Sequence, residues 1–411
     1  MKILHIAAGE LSGGAAKGSY LLHQAQCKIG VNSKLLISGG DSYGDESVIA
    51  LTACSQHKRI ELALSQRIGN LPLSLYRRRR PWIFNTGLAG IDFTRLPDYK
   101  SADLVHLHWI NGLVAIPSLQ KVKKPIVWTM RDMWPLTGGC HYSMECNRYQ
   151  EGCGKCPQLQ SRSYFDISRF TVSMKRRCLP AKLQPVGISF WLSNAASSSA
   201  VFANHSVRTI SNNIDTRVFA PTDQGTARSL LSLPSANKII LIGAQKLTDF
   251  YKGFDLFLDA IRYLARDDIH VVTFGHAAKA AMASILIPQI HLGFLADSIS
   301  LRLAYSAADL FVAPSRMEAF GKTLAESLAC GTPAVCFNAT GPRDIVDHKR
   351  TGYKAQPFDA ADLARGIDWV LGLPPDHYQA MRSECRETAL KRFDSRVIAR
   401  QYLNLYQEIL E

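Results

Sequence analysis

Short apolar runs alternate along the whole chain with longer stretches of helical spacing. The first run covers residues 2–8 and is followed by a Gly-rich loop, GELSGGAAKG, then by a segment with an apolar face and a second run, SKLLISGG. Four further runs, ADLVHLHW, KPIVWTM, PVGISFWL and HSVRTI, keep the alternation. All four read as buried parallel strands, because strands covered by helices on both faces are apolar throughout. After NNIDTRVFAPTDQG, where Asn, Asp and Pro punctuate the chain, the pattern restarts with NKIILIGA, the helical GFDLFLDAIRYLAR and IHVVTFG. QIHLGFL, DLFVAPS and TPAVCF follow as further strands.

The spacing predicts two doubly wound α/β domains, over 1–215 and 216–393. The end of the chain, 394–411, has the period of an amphipathic helix and is expected to pack back on the first domain. Open sheets bind ligands at the carboxyl ends of their strands, so a central cleft faced by both domains is the expected site.

Composition narrows the function classes. The 411 residues are 47% hydrophobic and 20% charged, enough to build a core in each domain and unlike a disordered chain. The formal net charge of +14 is partly clustered, in RRRR at 77–80, KVKK at 121–124 and KRR at 175–177. Such a balance favours polyanions, anionic membrane surfaces or phosphorylated substrates. YRRRRPW, with aromatics flanking the charges, is the membrane-surface candidate. Neither a signal-peptide pattern nor an apolar run of about 18 residues is present, so a cytoplasmic protein, peripheral on the inner membrane face at most, is expected. Ten cysteines in a reducing compartment are then mostly thiols or metal ligands.

The chemistry concentrates in PSRMEAFGKTLAESLACGTPAV, where Glu318 and Glu326 stand eight residues apart at a strand-to-helix junction. A helix starting near Gly321 would present free amides and its positive end, to which an anionic phosphate is suited. Carboxylates at this spacing are common on surfaces, but AFG before the helix, ACGTPAV closing it and the turn NATGPRDIV set these apart. Upstream, GAQKLTDFYKGF offers Lys246 and Lys252 after a strand.

The segment from Phe311 to Val346 resembles the donor-site signature of retaining, nucleotide-sugar-dependent glycosyltransferases of the GT-B fold, in particular glycosyltransferase family 4: a Glu, seven residues, then a second Glu. GGAAKGSYLLHQAQCKIG resembles that family's first loop and helix, NNIDTRVFAP its hinge, and GFLADSISLRLAYSAADLFVAPS its approach to the donor site. The resemblance implies a nucleoside-diphosphate sugar as donor substrate, with Lys252 and Lys246 on the diphosphate. Lys246 stands where the family usually has Arg, keeping the charge and losing the bidentate fork. Glu326 would accept hydrogen bonds from ribose hydroxyls, Glu318 would hold hydroxyls of the sugar, and the amides around Phe320, Gly321 and Lys322 would contact sugar and phosphate. Gly13 and Gly14 would either let the first domain's backbone approach the phosphates or form a plain tight turn.

One departure concerns the position after PIVWTM, where many members carry a His and this chain reads Arg131–Asp132. A guanidinium is no general base, so Arg131 is expected to stabilise charge and Asp132 to orient it or the acceptor. His108, on one strand face with His106, either borders the acceptor or is satisfied within the fold. Catalysis by this family needs no metal or organic cofactor.

The resemblance implies transfer to a glycan acceptor, often lipid-linked, in exopolysaccharide, capsule or O-antigen assembly. Two other readings stand against it. One is a GT-B-like nucleotide-sugar epimerase or phosphorylase. The other is a basic, zinc-containing nucleic-acid binder using Cys140, Cys146, Cys153 and Cys156, whose spacing holds a single CxxC and leaves the paired glutamates unexplained. A nucleic-acid partner is not expected. For the four cysteines a structural zinc site, reduced thiols and disulfides all stay open, in a loop that follows Arg131 and Asp132.

Overall fold

The strands expected from the apolar runs form two separate parallel sheets. In a computed structural model describing all residues except 12, 13, 43, 55 and 278, the chain divides into two units, Met1–Ser211 with Ile398–Glu411, and Asn212–Val397.

The sheet of the first unit contains β1 (Lys2–Ala7), β2 (Asn32–Ile37), β3 (Val48–Ala50), β4 (Leu104–Leu107), β5 (Ile126–Met130), β6 (Leu183–Gly187) and β7 (Arg208–Thr209). Its order is β3-β2-β1-β4-β5-β6-β7, with parallel pairing throughout. Helices Gly14–Lys28 (α1), Gln56–Asn70 (α2) and Ile167–Cys178 (α3) belong to this unit. The C-terminal helix, Ser395–Leu410, places Ile398, Tyr402, Leu405 and Tyr406 in one core with Ile3, Leu104, Val127 and Val186, as its amphipathic period implies.

PVGISFWL is a strand only as far as Gly187. Ser189 then caps a helix, Phe190–Ser197 (α4), its Oγ accepting from the Leu192 N–H at 3.1 Å. A short apolar run is ambiguous between strand and buried helix, and the N-cap serine is the signal that decides it. HSVRTI contributes only the two residues of β7.

The second unit repeats the plan. β8 (Lys238–Lys246), β9 (Ile269–His276), β10 (Gln289–His291), β11 (Leu310–Ala313), β12 (Ala334–Phe337) and β13 (Gly352–Ala355) pair in the order β10-β9-β8-β11-β12-β13, all parallel. The helix expected over GFDLFLDAIRYLAR covers only Phe254–Ile261 (α5). Ser298–Ala307 (α6) and Lys322–Ala329 (α7) follow. Ile240, Ile242, Phe257, Val312, Val335 and Phe337 are buried in one core of this unit, which accounts for the unbroken apolar runs.

Strand order reverses between β8 and β11, so the chain leaves their carboxyl ends in opposite directions. Such a switch point opens a crevice where α/β sheets bind ligands.

Candidate functional site

The site of the second unit is built from the loops leaving β8 and β11. After β8 the chain makes a 3-10 turn at Phe250–Lys252 and reaches Gly253 at φ 67°. A Cβ at Gly253 would lie 2.0 Å from the Pro314 carbonyl oxygen, so glycine lets the turn close against the end of β11. The two loops are then tied together. Arg316 forks onto Asp255 with both contacts at 2.6 Å, its guanidinium lies 4.7 Å over the Phe250 ring, and its N–H donates to the Tyr251 carbonyl at 2.9 Å.

This closure brings together two of the expected site residues. Lys252 Nζ donates to Glu318 Oε1 at 2.9 Å, while the Ser315 hydroxyl donates to Oε2 at 3.0 Å. The Glu318 carbonyl accepts from the Gly341 N–H at 2.9 Å, anchoring the loop to the turn after β12. Lys246 lies apart, exposed at the last position of β8.

Gly321, at φ 107°, opens α7 with no side chain capping the first-turn amides. Phe320 is buried with its ring edge-on to Phe393 at 5.6 Å, leaving its main chain as the part available to a ligand. One turn into α7, the buried Glu326 receives Lys322 Nζ at 3.1 Å on Oε1 and the Tyr305 hydroxyl at 3.0 Å on Oε2. Burial, and next the Glu326 charge, push the Tyr305 phenol well above its ordinary pKa, so Tyr305 is a fixed donor to that carboxylate. Sequence reasoning missed Tyr305, 21 positions from Glu326, the Arg316–Asp255 pair, 61 positions apart, and Ser315, three positions before Glu318.

In the first unit, Gly13 lies outside the described residues. Gly14 starts α1, where an added Cβ would meet nothing within 4 Å. Asp132, just after β5, is buried and fully engaged: Oδ2 accepts from Trp109 Nε1 at 2.7 Å and His141 Nδ1 at 2.6 Å, and Oδ1 from the Trp134 N–H at 2.9 Å. It pins the loop that follows Arg131.

Arg131 begins a buried hydrogen-bond chain. Its Nη2 donates to His108 Nδ1 at 3.3 Å, His108 Nε2 meets His5 Nδ1 at 2.8 Å, and His5 Nε2 meets Gln26 Oε1 at 2.8 Å. The Gln26 amide donates to Tyr406 at 2.9 Å, whose oxygen lies 2.6 Å from His106 Nδ1, and His106 Nε2 meets Thr129 at 2.7 Å. A guanidinium only donates, so it sets the direction: each of His108 and His5 accepts at Nδ1 and donates from Nε2. Burial, and next the charge of His23, lower His5 to about 3, and burial drives His106 and His108 well below their ordinary value, so all three rings are neutral. Burial also lowers Arg131 to about 10, where it remains charged at neutral pH. His108 is thus 1% exposed and satisfied by Arg131 and His5. Nitrogens of His5, His106 and His108 lie within 4.8 Å of one another, but these bonds and the adjacent guanidinium make the trio a poor cation site. The register pairing His5 with His106 across β1 and β4 was hidden in the sequence.

Residues 232–392 match the family Glycosyl transferases group 1. The whole chain is 23% identical over 438 residues to the putative colanic acid biosynthesis glycosyl transferase WcaC of Escherichia coli, with all of both chains covered. It is 25% identical to a D-inositol 3-phosphate glycosyltransferase of Saccharomonospora viridis, covering 87% of this chain and 83% of that one. Among solved structures, sucrose-phosphate synthase from Thermosynechococcus elongatus superposes with a TM-score of 0.70 at 19% identity over 100% and 99% of the two chains. Anabaena HepE in complex with UDP-glucose superposes with a TM-score of 0.67 at 16% identity over 99% and 100%. The group 1 match falls on the unit that holds Glu318 and Glu326, and with that unit the chain is a glycosyltransferase built on the GT-B fold.

Proposed function

We propose that the protein is a retaining glycosyltransferase of the family 4 type, moving one sugar from a nucleoside-diphosphate donor to a glycan acceptor in surface-polysaccharide assembly. The observation that carries this reading is the Lys252–Glu318 pair at the β8/β11 switch point, beside the uncapped start of α7 and the buried Glu326.

Breaking the bond between the anomeric carbon and the phosphate oxygen leaves negative charge on a diphosphate. Lys252 and the first amides of α7 would meet it, with Lys246, exposed at the end of β8, as a further cation. Glu326 keeps free lone pairs for the ribose hydroxyls, and Tyr305 and Lys322 hold it in position. Glu318 would take hydroxyls of the sugar, with the amides of Phe320, Gly321 and Lys322 on sugar and phosphate. The first unit would bind the acceptor through Arg131, with Asp132 and His108 holding Arg131 and its loop in place. The acceptor oxygen attacks the face from which the diphosphate departs, and the departing phosphate takes its proton, so neither a general base nor a metal is required.

HepE with bound UDP-glucose supports a nucleotide-sugar donor, and the name of the Escherichia coli relative supports a polysaccharide product. A lipid-linked acceptor is supported by a surface of the first unit. Along α2 and the 3-10 turn Leu71–Leu75, Ile60, Leu64, Ile68, Leu71 and Leu75 are 53–81% exposed at helical spacing. The exposed Arg77–Arg80 run and Ile83 follow directly. An apolar stripe beside four arginines suits the boundary of an anionic membrane. No helix among the described residues is long and apolar enough to cross one.

A panel of nucleotide sugars, scored for release of nucleoside diphosphate with and without glycan acceptors, tests the reading. Release with formation of a glycoside retaining the anomeric configuration is expected. A new nucleotide sugar formed without diphosphate release would point to an epimerase instead.

A further inference from the structure

The cysteine-rich loop after β5 is not used by the proposed transfer, yet the fold gathers it with care. Cys140, Cys146, Cys153 and Cys156 all line one cavity of about 20 Å³, close to the space of a single small occupant. None of the four is in a disulfide. Cys140 lies within electrostatic reach of the other three thiols.

The backbone is bent to achieve this. Gly152, Cys153, Gly154 and Lys155 are four consecutive residues in the left-handed region, at φ 95°, 62°, 96° and 46°. That conformation is disfavoured for residues with a Cβ, and Cys153 and Lys155 persist in it because the turn points both cysteines of the CxxC into the cavity.

A lysine amine has also been buried beside them. Lys175 on α3 is 0% exposed, donates to the carbonyls of Trp134 and Thr137, and lies 3.9 Å over the Trp134 ring. It is within electrostatic reach of Cys140 and Cys153. A buried ammonium is costly unless anionic charge accompanies it.

We propose that Cys140, Cys146, Cys153 and Cys156 together hold one structural zinc ion, and that the Lys175 ammonium balances part of the charge of the resulting four-thiolate site. Ligation replaces four S–H bonds by four Zn–S bonds and releases four protons to solvent. Four thiolates on a divalent ion leave a net charge of −2, which one buried ammonium halves. No three of these sulfurs lie within 4.8 Å of one another, so ligation at about 2.3 Å would require the loop to contract around the ion. His141, next to Cys140, bonds Asp132, so the zinc would brace the segment carrying Arg131 and Asp132.

The full chain, purified without added metal and passed over a chelating resin, is expected to retain about one zinc per chain, with sulfur neighbours at about 2.3 Å by X-ray absorption. An organomercurial should release that zinc in step with thiol modification. Cys153→Ser with Cys156→Ser should lose it, and His5→Gln should keep it. Lys175→Met should surrender zinc to a competing chelator at least about tenfold more readily than the unaltered chain. Folded, unaltered protein with well under one equivalent of zinc, with iron in its place, or with nitrogen neighbours around the zinc overturns the site. Unchanged zinc retention in Lys175→Met overturns the charge-balancing role.

Discussion

Lys252 Nζ and Glu318 Oε1 lie 2.9 Å apart across 66 positions of sequence, with Ser315 holding the other carboxylate oxygen. Without donor, the ammonium and the carboxylate satisfy each other; a diphosphate would compete for the first and sugar hydroxyls for the second. Lys252→Ala is therefore expected to lower turnover at least about tenfold, or about 1.4 kcal/mol of transition-state stabilisation. Unaltered kcat and KM for the donor would remove Lys252 from the reaction.

Glu326 is held from two sides, and the two partners should behave differently. Glu326→Ala is expected to cost at least about tenfold in turnover. Tyr305→Phe leaves the carboxylate in place but strips a buried hydrogen bond, so its cost should be about 1–3 kcal/mol in stability together with a raised donor KM. Denaturant melts and donor titrations separate the two. A Glu326→Ala variant with normal turnover would disconnect this carboxylate from donor binding.

Gly253 offers a test of the architecture itself. With φ at 67° and the Pro314 carbonyl oxygen 2.0 Å from where a Cβ would stand, Gly253→Ala must move the turn that carries Lys252. We expect a loss of about 1–3 kcal/mol in stability and a disproportionate fall in turnover. Wild-type stability would mean that the turn does not close as described.

Much of this arrangement was legible in the sequence, for physical reasons that also mark its limits. Parallel strands buried on both faces advertise themselves as unbroken apolar runs, so both sheets could be read; Phe190–Leu192, equally apolar, could not be assigned until Ser189 was seen to cap a helix. Glu318, Glu326 and Lys252 carry local spacing and context. The Arg316–Asp255 fork joins residues 61 apart, and the His106–Tyr406 bond joins residues 300 apart, so neither leaves a local trace. Gly14 illustrates the converse, since nothing around its backbone requires a glycine.

The neutral histidines make stability depend on pH. An unfolded histidine titrates near about 6.5, whereas the fold lowers His5 to about 3 and His23 to about 4. Below about pH 6.5 the unfolded chain thus binds more protons than the folded one, and stability rises with pH across that interval. It should be fully present above about 6.5 and fall as pH drops, by about 1.4 kcal/mol per pH unit for each buried histidine. Denaturation midpoints followed from neutral pH to about 4.5 check the slope, and His5→Gln should flatten it by one histidine's share. A pH-independent midpoint would contradict the neutral histidines between Arg131 and Gln26.

The last prediction concerns the apolar stripe and its arginines. Bilayer attachment should draw on both: each arginine near an anionic surface contributes about 1 kcal/mol, screened by salt, and each buried leucine side chain adds about 1.5–3 kcal/mol that salt does not touch. Vesicles containing anionic lipid are expected to sediment the protein at low salt, with weaker binding at high salt and to purely zwitterionic vesicles. Leu71→Ser with Leu75→Ser should lower binding at least about tenfold while leaving transfer to a water-soluble acceptor unchanged, because both side chains point outward, 68% and 81% exposed. Replacing Arg77, Arg78, Arg79 and Arg80 by Gln should instead remove most of the salt sensitivity and leave the weaker affinity of the apolar stripe. Protein that ignores vesicles of every composition would detach this surface from the membrane and leave the lipid-linked acceptor without structural support.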